Sequence, residues 1–166
     1  MPSWQRLDFA RCWSKRSDSA ALPARSVVVR VVLTKTPAER KRLLAAMDSF
    51  AEANNLPPQV RQAADLALEE HLTNIINYGY EDTQPHQVSV RFALEEGFLV
   101  VEVEDNGKPF NPLEAPEVDT SLPLEQKPIG GLGLHLIRKF MDDLQYRRDA
   151  NKNILRMRKR LAPSGA

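Results

Sequence analysis

The chain reads as an α+β protein, a two-layer sandwich of a mostly antiparallel sheet with helices packed on one face. Three observations predict this. The candidate elements run strand, helices, hairpin, helix and two strands, an order that does not alternate as parallel βαβ units do. Val88, Val90, Phe92 and Leu94 alternate along one run, and Leu99, Val101, Val103 and Asp105 share one side of the next, the period of half-buried strands. Glu95, Glu96 and Gly97 separate the two runs as a hairpin turn.

In chain order, Met1–Arg25 is polar and basic without a sustained period, the composition of a disordered leader. Residues 26–162 form the folded domain, and 163–166 are a tail. Ser26–Leu33 (SVVVRVVL) is β-branched and reads as a strand. Thr36-Pro37-Ala38-Glu39 is a capping box with proline at the first helical position, opening a helix to about Ala53. Asn54–Pro58 breaks it, and a second helix runs to about Tyr78. The hairpin follows, over Gln87–Leu94 and Phe98–Asp105. Asn106 to Gly131 holds five prolines and no period, so it is either a functional lid or a disordered connection. A helix from about Gly131 to Met141 and strands near Leu144–Arg148 and Asn153–Leu161 close the domain.

With 166 residues the chain is one domain large enough for a core, and 42% hydrophobic with 27% charged residues is the composition of a soluble protein. A formal charge of +1 makes no case for nucleic acid or membrane. Cys12 is the sole cysteine, which excludes an internal disulfide and a cysteine-rich zinc site. No apolar run approaches the ~20 residues of a membrane span, and the start lacks the apolar core of a signal peptide, so the cytoplasm is the expected location. Charge is segregated along the chain. Glu95–Glu125 carries nine acidic residues against Lys108 alone, whereas Arg138–Arg160 carries nine basic against three acidic. Arg156, Arg158 and Arg160 alternate with Leu155 and Met157 and are expected on an uncovered sheet face, as a solvated surface or a docking face for an acidic partner.

Three local patterns carry chemistry. In Leu66–Tyr80 (LALEEHLTNIINYGY), Glu70, Asn74 and Asn77 fall four and three residues apart, within a ~60° arc of a helix. They are flanked by Ala63 and Ala67 and edge the apolar face of Ala64, Leu68, Leu72, Ile75 and Ile76. A carboxylate and two amides there either bond to their own protein or line a ligand site. Glu69 lies roughly 100° away and points elsewhere. Asp105 ends its strand in phase with buried side chains, and Asn106-Gly107 then breaks the chain where a ligand can approach the backbone. It is either a turn cap or an acceptor for a buried amine. Pro128–Ile137 passes from glycines into an apolar helix, whose free N–H groups suit phosphate. No GxxxxGK[ST], dinucleotide fingerprint or HExxH is present. His71 reads as a satisfied, partly buried histidine, His86 as a loop residue and His135 as packed.

In this order and spacing, EEHLTN, DNGKPF and GGLGLHLI resemble the signatures of the GHKL ATP-binding superfamily, with its Bergerat-type fold. The sequences NIINYGY and DNGKPFNPLEAP are most similar to bacterial anti-sigma regulatory factors, small serine/threonine protein kinases. The resemblance spans Val27 to Leu161. It implies that Glu70 is the general base and Asn74 the ligand of Mg²⁺. It implies that Asp105 accepts from the adenine amine of ATP, with Gly107 leaving room for the base. Gly131 and Gly133 would present N–H groups to the phosphates, Gly130 would be the lid hinge, and Asn77, Tyr78 and Phe110 would complete the nucleotide contacts. Two positions depart from the pattern: Tyr78 stands where relatives often carry histidine, and Asn153 where many carry threonine.

The implied function is phosphorylation of an antagonist (anti-anti-sigma) protein on serine together with sequestration of a sigma factor, without direct contact to nucleic acid or membrane, and with a homodimer expected from family habit. Two rival readings are an ATP-gated partner-binding module without phosphotransfer and a detached histidine-kinase catalytic domain. Acid-stable phosphoserine, no phosphoprotein and acid-labile phosphohistidine distinguish the three.

Overall fold

A computed structural model describes residues 26–33, 37–82, 84, 86–114 and 131–161. The elements are β1 (Ser26–Leu33), α1 (Pro37–Ala53), α2 (Pro58–Tyr78), β2 (His86–Glu95), β3 (Phe98–Asp105), α3 (Gly131–Phe140), β4 (Asp143–Asp149) and β5 (Lys152–Arg160). The strands form one sheet in the order β1-β2-β3-β5-β4. Each neighbouring pair is antiparallel, so the mostly antiparallel sheet expected from the sequence is wholly so among the described residues. Gly130, most of the proposed lid, Thr36 of the capping box, residues 1–25 and the tail lie outside the described residues. No helix among those described is long and apolar enough to cross a membrane.

Local chemistry sets the element ends. Asn55 adopts φ 51° after α1, where the Leu56 N–H reaches back to the Ala51 carbonyl at 2.9 Å and closes the helix. Pro58 then opens α2 in the first turn, where its missing N–H costs nothing. The β2–β3 turn places Glu96 at φ 50° and Gly97 at φ 80°, the left-handed pair a two-residue hairpin requires. The core lies between the sheet and the three helices. Val88, Val90, Phe92, Leu99, Val101, Val103, Leu155 and Met157 face Leu43, Met47, Leu68, Leu72, Ile75, Leu134 and Ile137. Phe50 of α1 meets Phe92 with ring centroids 6.0 Å apart.

The opposite sheet face departs from expectation. Arg156 and Arg158 are not solvated cations, since the side chain of each is only 11% exposed. The register pairs Arg91 with Glu102 and Glu102 with Arg156, so basic and acidic stretches distant in sequence interleave across three strands. Arg91 and Arg156 each pair with Glu95 and Glu102, while Arg158 reaches Asp143 and lies 4.1 Å above the Phe98 ring. The carboxylates of the β2–β3 hairpin and Asp143 thus pair with Arg156 and Arg158, whereas Arg160 stays exposed over the Phe98 ring.

Candidate active site

The helical stripe and the glycine-headed helix meet. A β-carbon built on Gly133 would lie 2.6 Å from Glu70 Oε2 and 3.5 Å from Asn74 Nδ2. The first turn of α3 therefore rests directly on Glu70 and Asn74, and only a residue without a side chain permits this approach. Asn74 Nδ2 is buried without a hydrogen-bond partner. An orphaned amide beside a carboxylate, beneath a helix N-terminus, fits a site built to take polar atoms of a ligand. No cluster of three or more His, Cys, Asp or Glu able to hold a metal occurs among the described residues. A cation at Glu70 and Asn74 would thus take few protein ligands, the habit of Mg²⁺ shared with phosphate oxygens and water.

A second candidate cluster forms at the end of β3. Asp105 is 4% exposed. Its Oδ1 accepts the Gly107 N–H at 2.7 Å and the Asn153 amide at 2.9 Å, whereas Oδ2 accepts no hydrogen bond among the described residues. Burial raises the pKa of the carboxyl, opposed by the bonds from Asn153 and Gly107 and by the charge of Arg148. Gly107 is pressed against the C-terminus of α2: a β-carbon there would lie 2.6 Å from the Gly79 carbonyl, which accepts the Lys108 N–H at 2.8 Å. The helix of Glu70 and the strand of Asp105 are thereby pinned together.

Other side chains support this turn. The Tyr80 hydroxyl donates to Asn106 Oδ1 at 2.9 Å, and its ring stacks on His86 at 3.5 Å. Burial, with the nearby charge of Asp105, pushes the Tyr80 hydroxyl up to about 12, so it remains a donor. Arg138 of α3 donates to the carbonyls of Pro112 and Leu113 at 2.9 and 3.1 Å, tying the start of the long connection to the helix at its far end. Sequence reasoning missed Tyr146, Arg148 and Arg138, which carry no motif signal, and gave no role to Tyr80, although it closes the NIINYGY motif.

The sequence-predicted residues thus divide. Glu70, Asn74 and Gly133 come together, and Asp105 and Gly107 come together at the end of β3. Gly131 starts α3. Asn77, Tyr78 and Phe110 stand exposed outside the buried network. His71 is a correction: it is wholly buried, not partly, and neither ring nitrogen has a hydrogen-bond partner. Burial lowers its pKa to about 4, so it is neutral, and it is too enclosed to receive a phosphoryl group.

A five-stranded antiparallel sheet covered by helices, with a carboxylate and an amide meeting a helix N-terminus and a buried aspartate at a strand end, defines a two-layer α+β class of domain with a candidate polar site. The chain belongs to the histidine kinase-like ATPase domain family, which matches residues 33–159. It is 34% identical over 94 residues to the serine-protein kinase RsbW of Bacillus mycoides (strain KBAB4), a match covering 54% of this chain and 58% of that protein. The RsbW of Bacillus cereus (strain AH820) matches over the same length at 36% identity. The chain therefore spans little more than half the length of these curated relatives. The fold is shared with the RsbU and RsbW domains of Rv1364c from Mycobacterium tuberculosis, at a TM-score of 0.55 and 15% identity, covering 81% of this chain and 32% of that one.

Proposed function

We propose that this chain is an ATP- and Mg²⁺-dependent serine/threonine protein kinase of the anti-sigma type, acting in the cytoplasm, that phosphorylates an antagonist protein on serine and sequesters a sigma factor. The observation that carries the reading is the seating of Gly133 on Glu70 and Asn74. It puts a helix N-terminus, an acceptor carboxylate and an uncommitted amide at one point, as phosphoryl transfer requires. The relatives named serine-protein kinase RsbW support the choice of serine and of protein-kinase chemistry.

In this reading Asp105 Oδ2 accepts from the base amine, and the N–H groups at the start of α3 face the phosphates. Mg²⁺, when bound, neutralises charge that develops on the transferred group, and Asn74 with the phosphates would hold it. Glu70 orients the attacking serine hydroxyl and takes its proton as the new O–P bond forms and the bond to the ADP leaving group breaks. Incubation with radiolabelled ATP and the proteins co-purified from the native cell tests this directly. Acid-stable phosphoserine on a partner is the expected result. Nucleotide binding without transfer to any partner would favour the ATP-gated module, and acid-labile label would favour histidine chemistry.

A further inference from the structure

Asn153, one of the two positions where the sequence departs from the family pattern, is fully committed. Its Oδ1 faces two donors, the Tyr146 hydroxyl at 2.8 Å and Arg148 Nη1 at 2.7 Å. Its Nδ2 faces two acceptors, Asp105 Oδ1 and the Lys108 carbonyl, each at 2.9 Å. An amide has two N–H donors and two acceptor lone pairs, so these neighbours fix its orientation and leave nothing over. Asn153 cannot read a base without giving up a bond. It can hold Asp105, whose Oδ2 stays free.

Arg148 is unlike its neighbours Arg147, Arg156 and Arg158. Arg147 pairs with Asp149, Arg156 with Glu95 and Glu102, and Arg158 with Asp143. Arg148 makes no ion pair among the described residues and directs Nη1 at two neutral oxygens, Asn153 Oδ1 and the Gly107 carbonyl at 2.9 Å. The strand register sets Asp105 opposite Asn153 and Asn153 opposite Arg148, one line across β3, β5 and β4. A partly buried guanidinium without a carboxylate partner is costly unless a charge nearby uses its field.

We propose that Arg148 and Tyr146 are positioning residues for base recognition, locking Asn153 so that Asp105 is held with one carboxylate oxygen free for an amine-bearing base. The inference rests on the nucleotide reading given above. The charged and titratable groups facing Asp105 are Arg148 from β4, Glu104 from β3 and Tyr80 from the segment after α2. Arg148 favours the carboxylate, while burial and Glu104 oppose it. Without the guanidinium charge, burial prevails at higher pH, and a protonated Asp105 is a poorer acceptor for an amine.

The test is calorimetric titration with Mg·ATP from about pH 5 to pH 8, across the carboxyl and neutral range, on wild type, Arg148→Gln, Arg148→Lys and Tyr146→Phe. Titration of the nucleotide itself is common to all four and cancels. Arg148→Gln keeps an N–H donor and removes the charge; its affinity should fall roughly tenfold at neutral pH and its acid limb should move up by about one pH unit. Arg148→Lys should keep the wild-type limb. Tyr146→Phe should weaken binding a few-fold without moving it. An Arg148→Gln affinity equal to wild type, or lowered equally at every pH with the limb unmoved, overturns the inference while leaving the nucleotide reading intact. A wild type that binds no ATP overturns both.

Discussion

Gly133 lies so close to Glu70 that a β-carbon on the glycine would sit 2.6 Å from the carboxylate Oε2. The contact joins α3 to α2 at the one point where the candidate chemistry requires both. The atom that would be displaced is the far end of a flexible side chain, so a substitution here disturbs the position of Glu70 more than it disturbs the fold.

Gly133→Ala should therefore leave thermal stability equal to wild type or raised, since alanine is favoured over glycine within a helix by about 1 kcal/mol. Phosphoryl transfer should drop, because Glu70 must rotate away from its place beside Asn74. Unfolding scans alongside a transfer assay check this; a variant that melts normally and transfers at the wild-type rate would show that the contact has no part in the chemistry.

Glu70→Gln should retain ATP affinity and lose nearly all phosphorylation of a partner serine, because general-base assistance is worth roughly 10²–10⁴-fold. Asn74→Ala should lose binding of Mg·ATP as well as transfer. Calorimetry with single-turnover kinetics separates the two effects, and a Glu70→Gln protein that transfers normally would exclude Glu70 as the base.

Asp105→Asn replaces an anionic acceptor with an amide that can turn a donor toward the base amine. Loss of a charge-assisted bond should cost on the order of 1.5–3 kcal/mol of nucleotide affinity. Equal ATP affinity for wild type and variant by calorimetry would remove Asp105 from the site.

His71 predicts a pH dependence of stability. Its pKa falls from 6.5 to about 4 on folding, so the unfolded state binds the extra proton first. The contribution is fully present above about pH 6.5 and is lost progressively as pH falls toward 4, reaching about 3 kcal/mol at its limit. His71→Leu removes two unsatisfied nitrogens and should be at least as stable at neutral pH, with a smaller loss on acidification. Denaturant unfolding of both proteins at neutral and acid pH measures the difference; parallel curves would show that His71 does not titrate with folding.

Much of this architecture is local and so was legible. The pleat alone puts Leu99, Val101, Val103 and Asp105 on one side, and all four are buried. Helical spacing alone puts Asn74 one turn from Glu70, and both meet Gly133. Less was legible where a residue's surroundings decide its state. The same spacing extended to Asn77, yet that residue lies exposed at the helix end. His71 followed the apolar periodicity, but whether its nitrogens find partners depends on what packs against α2, and they find none.

What the sequence by itself determined is the set of elements, the face each presents and the positions of the carboxylate, amide and glycines upon them, since covalent geometry and periodicity act over a few residues. Only the tertiary structure decided which distant groups became neighbours. Asn153 reaches Asp105 from 48 positions away, and Arg148 reaches Gly107 from 41, because β5 inserts between β3 and β4. The same strand order turned Arg156 from a surface cation into the partner of Glu95 and Glu102. Such pairings are set by the free energy of packing the whole chain, in which sheet order and register are chosen together, and no short stretch of sequence encodes them.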